Sequence, residues 1–250
     1  NLPDVAVTPS EHFNTVLYSG DGAVTGVGFQ PDFIWIKNRN KAAEGHSLTD
    51  AIRGITKNLK SNNTDAEETP SDGLSAFGVD GFTVGTADHC GGSYNYVAWN
   101  WNCPTTASGT TTGSGTGKAY SAQYNTDAGF SIIKYLGNDT AGHTIPHRLG
   151  SAPEMVVVKG LDTAGVDWKV QHIGLSAGDE VVYLNSGMAE NTESDKFGAF
   201  AGATTFPLNG SHASVNADDD NYIAYCWHSV DGYSKVGSYT GNADADGAFV

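Results

Sequence analysis

Tyr96-Val97-Ala98-Trp99-Asn100-Trp101 returns later in the chain as Tyr222-Ile223-Ala224-Tyr225-Cys226-Trp227. Both are short runs of aromatic and aliphatic residues, and such runs read as strands. The repetition spreads outward from them. Pro31, Phe33, Trp35 and Lys37 return as Pro153, Met155, Val157 and Lys159, Phe13 and Tyr18 as Phe130 and Tyr135, and Ala66-Glu67 as Ala189-Glu190. The order never changes, and the offset drifts only by the length of a loop insertion. The chain is a tandem array of one module, with copies at residues 13–103 and 119–230. Gly232-Tyr233-Ser234 through Tyr239-Thr240-Gly241 restarts the motif of Gly129-Phe130-Ser131 through Tyr135-Leu136-Gly137. Residues 231–250 are therefore expected to be the start of a third repeat or a docking strand, 1–12 a tail, and the whole a piece of a longer protein.

Residues 16–18, 33–37, 82–84 and 96–101 of the first copy read as strands. In the second copy 132–136, 155–159, 168–170, 181–184 and 222–227 fill the corresponding places, with Gly, Asp, Asn and Pro between them. Residues 47–60 dispute this, because Leu48, Ile52, Ile55 and Leu59 fall at helical spacing. Their counterpart carries Gly174, Gly178 and Val181-Val182-Tyr183, which would not sustain a helix, so two extended pieces across a turn near Gly54 are expected. Residues 104–118, almost wholly Thr, Ser and Gly, read as a flexible or extended linker.

The 250 residues include 32 glycines, and hydrophobic residues make up 39%. That mix suits short strands and tight turns better than helical bundles. A net charge of −15 repels phosphate backbones and anionic headgroups, so nucleic acid and membrane insertion are excluded as expected partners. Cys90, Cys103 and Cys226 cannot all pair within one chain, and Cys226 stands where the first copy has Asn100. Stability must then come from packing.

Gly28-Phe29-Gln30-Pro31-Asp32-Phe33-Ile34-Trp35-Ile36-Lys37, followed by Asp50-Ala51-Ile52-Arg53-Gly54, Ser61-Asn62-Asn63-Thr64 and Tyr96-Val97-Ala98-Trp99, resembles a repeated module of unassigned function in tail and other virion proteins of marine bacteriophages. Ala141-Gly142-His143-Thr144-Ile145-Pro146-His147 with Ala152-Pro153-Glu154-Met155-Val156-Val157-Val158-Lys159 looks like the same module again. The resemblance implies a concanavalin-like or laminin-G-like sandwich in a fibre or surface appendage, and it brings no catalytic residues. The expected fold is all-β, two tandem antiparallel β-sandwich modules of jelly-roll, concanavalin-like type. The second copy lacks the Asp50 and Arg53 pair and has Gln171 and His172 near that place.

Among the candidate site residues, Trp35, Trp99, Trp101 and Trp227 could form a sugar-stacking platform. Recurrence within strands is what inward-facing core residues show, and core is the preferred reading of the set. Alternation puts Val97, Trp99 and Trp101 on one face, Tyr96 and Ala98 on the other, and one face is expected to be wet. Asp218, Asp219 and Asp220 cluster oxygen donors suited to calcium, although the spacing is not that of an EF-hand and a solvated loop is the competing reading. His143 and His147 straddle Pro146, which is unsuited to helical metal ligation, and His89, Cys90 and Cys103 lack a fourth ligand at zinc spacing. Asp50 and Arg53 read as a strand-to-turn ion pair. No nucleophile elbow, H-E-x-x-H or phosphate loop is present. The expected role is a non-enzymatic virion appendage segment, a tail fibre or adhesion element at the virion surface, contacting other virion proteins, its own copies and host-surface glycans. A purely structural or capsid-decorating protein is the alternative, and a polysaccharide-degrading enzyme ranks last.

Overall fold

The computed structural model describes residues 7–247, so the first six residues of the tail and the last three of the third-repeat start lie outside the described residues. The first copy contains β1 (Phe13–Ser19), β2 (Gly22–Thr25), β3 (Phe33–Asn38), β4 (His46–Asp50), β5 (Leu74–Gly78), β6 (Gly81–Val84) and β7 (Asn95–Trp101). There follow β8 (Thr105–Thr110), β9 (Thr112–Gly113), β10 (Ala119–Asn125), β11 (Phe130–Leu136), β12 (His143–Pro146), β13 (Met155–Gly160) and β14 (Lys169–His172). The last are β15 (Glu180–Tyr183), β16 (Asn191–Thr192), β17 (Thr205–Leu208) and β18 (Asn221–Trp227). Apart from one short 3-10 turn at Pro9–Glu11, the regular structure of the described residues is all strand, paired antiparallel throughout.

The duplication is visible in the topology. In the first copy the strand order is β1-β7-β3-β4, and in the second the centre of an eight-stranded sheet runs β11-β18-β13-β14. Registers match as well. Phe13 lies opposite Trp101, Trp101 opposite Phe33 and Phe33 opposite Asp50, while Phe130, Trp227, Met155 and His172 form the equivalent row. His172 is therefore the structural counterpart of Asp50.

Each copy closes two sheets over a core. In the first, Ile34, Ile36, Tyr96 and Ala98 meet Val24, Leu74, Phe82 and Val84 from the β2-β6-β5 sheet. In the second, Ile133, Tyr135, Val156, Val158 and Ala224 meet Ile145, Phe206 and Leu208 from the β17-β12-β9 sheet. The residues between these positions point the other way, and the two copies bury them against each other. Phe33, Leu48 and Cys103 share a third core with Phe130, Ile132, Val157, Trp168, Ile223 and Tyr225. Of the face expected to be wet, the sister copy covers the end around Phe33 and Trp101, where exposing the aromatic rings would cost roughly 2–3 kcal/mol per large side chain, while Trp99 stays half-buried and Leu17 is exposed. The copies are packed together and are not beads on a flexible string.

Residues 47–60 are two extended pieces. Leu48 and Leu59 exchange backbone hydrogen bonds of 2.8 and 3.0 Å across a turn in which Gly54 has φ +104°. Of the two forms expected for residues 104–118, flexible or extended, residues 105–110 take the extended one as β8, which pairs with β10 and extends the large sheet. Its residues are nearly all exposed. An outermost strand needs extended backbone and partners on one side, and Thr-rich sequence supplies that without apolar content.

Candidate functional site

The third core opens at one side into a cavity of about 270 Å³ between the copies. Its walls are Trp35, Leu48 and Trp101 from the first copy and Met155, Val157, Trp168, Val170, Leu184, Tyr225 and Trp227 from the second. A second recess of about 320 Å³ shares Trp101, Met155 and Trp227 and is bounded by Phe13 and residues 233–236. Three of the four tryptophans singled out as a sugar platform thus come together, although from opposite copies. Trp99 stays half-buried in the ladder between Thr15 and Trp35, outside the cavity lining.

The rings form a continuous stack. Phe33 lies over Tyr225 at 4.6 Å between centroids, with Phe130 5.7 Å and Trp101 5.1 Å away, and Phe130 stacks on Trp227 at 4.9 Å. Three polar groups of the cavity's walls are committed elsewhere. Trp35 donates its Nε1–H to His46 Nδ1 at 2.8 Å, Trp168 donates to the carbonyl of Lys60 at 3.1 Å, and the Tyr225 hydroxyl donates to Asp50 at 2.7 Å. Sugar sites combine an aromatic face with free hydrogen-bonding groups. Here the faces of Trp35, Trp101 and Trp227 are spent largely on joining the copies, in line with the core reading of the set and not with an open platform.

Beneath the cavity lies a buried charged cluster. Asp50 accepts from Arg53 Nε at 2.6 Å and from the Arg53 backbone N–H at 2.9 Å, with both side chains fully buried. Arg53 also donates to the carbonyl of Leu48 at 2.9 Å and reaches Glu67 at 3.3 Å. Burial alone would lower the guanidinium pKa, but the charge of Asp50, its hydrogen bond to Arg53 and the charge of Glu67 hold it above its ordinary value. The pair is single-copy because it sits at the junction, where Tyr225 of the second copy completes it. His172, in the equivalent register of the second copy, has no such partner surface to meet. Sequence reading missed Tyr225 as the group that finishes the ion pair. Its signal was a tyrosine standing where the first copy has Trp99.

A second carboxylate ties the copies nearby. Asp32 accepts from the Cys103 N–H at 2.7 Å and from the Gln123 amide at 2.8 Å, and burial pushes its pKa up to about 6, against the opposing pull of those two hydrogen bonds. With a folded pKa above the ordinary 3.8, its contribution is fully favourable below that value and is lost as the pH rises through 6. Asp32→Asn keeps an acceptor for Cys103, and a turned Gln123 amide can receive the new N–H. The variant should match the parent near pH 4 and exceed it by about 2–3 kcal/mol at pH 8 in urea unfolding. An equal gap at both pH values would show that Asp32 is not the titrating group.

Repeated lysines end β3 and β13. Lys37 donates to the carbonyls of Asn38 and Glu44, at 3.1 and 2.6 Å, and Lys159 to that of Gly160 at 3.0 Å. Lys159 is fully buried, which lowers its pKa to about 8. Asp218, Asp219 and Asp220 do not converge on an empty oxygen cage. Asp218 and Asp219 instead face the Lys118 ammonium at 2.8 and 2.6 Å, and among the described residues no three His, Cys, Asp or Glu side chains gather as metal ligands. The arrangement fits the solvated-loop reading and not the calcium alternative, since a lysine from far upstream occupies the position of the cation. His143 bonds to Asn216 and Thr111, and His147 separately to the carbonyl of Gly202. The three cysteines are free and buried.

In comparisons with known proteins, a family model described as "Domain of unknown function (DUF7483)" matches residues 8–250. No curated protein matches, and no solved structure matches. The match runs across both copies.

Proposed function

The chain belongs to the DUF7483 family, a domain of unknown function, and on that premise we propose that it is a non-enzymatic structural segment of a bacteriophage virion appendage. Each copy is a jelly-roll, concanavalin-like sandwich in this reading, and the pair is one stiff unit set in series within a fibre or tail. The observation that carries it is the shared aromatic core: Phe33, Phe130 and Tyr225 lock the copies at a fixed angle, as a load-bearing spacer requires and a loosely tethered pair of binding modules does not. The resemblance of its landmark motifs to phage virion modules supplies the setting. No nucleophile or unpaired carboxylate lines the cavity, which favours a mechanical over a catalytic role.

Antibody-gold labelling of purified particles that encode the chain should decorate a tail or fibre. Particles that carry no label, with the chain found only in the soluble lysate, would overturn the proposal. Glycan adhesion is the second reading, and Trp99 favours it, since this ring is half-buried and takes no part in the cavity. Weak binding on an array of bacterial surface glycans, lost in Trp99→Ala, would support adhesion. A blank array would leave the structural role alone.

A further inference from the structure

The two copies differ at one edge of their matching sheets. In the second copy β11 is covered on its outer side by β10, antiparallel, with Tyr120 opposite Tyr135 and Ala122 opposite Ile133. In the first copy β1 holds the place of β11, and among the described residues nothing pairs with its outer side. The consequence shows in burial. Ile133 and Tyr135 are 0% and 1% exposed, whereas Val16 and Tyr18, their counterparts, are only partly buried, and Leu17 between them is 66% exposed. An edge unpaired among the described residues, with half-covered apolar side chains, is a template for an added strand.

The chain also carries a strand-like segment with no sheet to join. Residues 235–241, Lys-Val-Gly-Ser-Tyr-Thr-Gly, repeat the opening motif of a copy. They contain no strand in the structure and leave Tyr239 71% exposed. Of the two expected placements of this segment, on the second copy or on a neighbouring chain, the first is not seen as a strand: residues 229–236 are held through Ser229, which donates its N–H to Glu154 at 2.7 Å, and the rest lies open. Within one chain the segment starts at the wrong end of β1. The Tyr233 ring lies 6.2 Å from that of His12, next to Phe13, and by Ser238 the chain has reached Gly174 at the far side of the second copy's strands. An antiparallel strand on β1 must arrive from the Ser19 end, so residues 235–241 cannot supply it in cis without first travelling the length of β1.

We infer that the outer edge of β1 is a strand-acceptor site filled by residues 235–241 of a second copy of this chain. The added strand takes the place that β10 holds in the second copy, covers Val16 and Tyr18, and buries Tyr239. The inference does not depend on the chain being a virion component.

The test uses the full chain. Light scattering across a concentration series should show the mass rising above 26.1 kDa. Hydrogen exchange of residues 13–19 should slow by roughly ten-fold at the concentrated end. Ser238→Pro, at an exposed position, removes a ladder N–H and should keep the chain at monomer mass with β1 unprotected. A parent that stays monomeric at every concentration would overturn the inference. So would β1 protection that does not vary with concentration, or association that Ser238→Pro leaves unchanged.

Discussion

Arg53→Met should lower the unfolding free energy by about 3–5 kcal/mol, because it leaves the Asp50 carboxylate charged, dry and short of its main donor. The size follows from what remains: Tyr225 and the backbone N–H of residue 53 still donate to Asp50, but two neutral donors cannot balance a full charge at a site with no access to water. Asp50→Leu should cost a similar amount by orphaning the guanidinium. The double variant Asp50→Leu with Arg53→Met removes both charges and should recover most of the loss, since apolar replacements of buried pairs are often close to neutral. Urea unfolding of the four proteins gives the coupling energy directly. Additive losses would mean that the two charges do not depend on each other and that the junction is wetter than the geometry shows. A domain with a typical total stability of 5–15 kcal/mol has little margin for either single change.

This pair also shows where sequence reading reached its limit. Its presence in one copy only was legible, and so was a strand-to-turn ion pair at Asp50 and Arg53, but the reason was not. An element that repeats answers to the module's own core, and an element that does not repeat answers to something outside the module. Here that is Tyr225. The strands themselves were legible because aromatic and β-branched runs recurred in the same order at Phe13, Phe33 and Tyr96 and again at Phe130, Met155 and Tyr222. The hairpin partner β5 was missed, since Leu74-Ser75-Ala76-Phe77 has too little apolar pattern to stand out. At residues 47–60 helical spacing arose because Leu48 and Leu59 face each other across a turn while Ile52 and Ile55 pack into different cores. The alternation in Tyr96 to Trp101 was read correctly, but the face expected to be wet is only partly so, half-buried at Val97 and Trp99 and packed under the sister copy near Trp101. Apolar residues on both faces are the mark of a strand covered on both sides, and sequence alone does not say by what.

That second covering layer leads to the other large expected effect. Phe33→Ala should cost about 3–5 kcal/mol, as for a large ring removed from a closed core. It should also change the form of the unfolding curve. Phe33 belongs by chain to the first copy, but its ring touches Tyr225 and Phe130 of the second, so it stabilises the contact between copies more than either copy's own core. Each copy keeps a separate core beneath its sheets, and what makes them melt together is the free energy of the contact between them. In the parent that energy should hold the pair to one transition, with tryptophan fluorescence and far-UV circular dichroism coincident. In Phe33→Ala the transitions should separate, and the first copy should melt earlier, because it rests on a four-stranded sheet with one open edge whereas the second is built on eight strands. If the copies were independent beads, the parent itself would show two transitions, and Phe33→Ala would move the earlier one alone. A single transition that keeps its form in the variant would instead show that the shared core is supported mainly by the backbone ties, Glu67 to Leu161 and Gly165 to Thr64, at 2.9 and 2.8 Å.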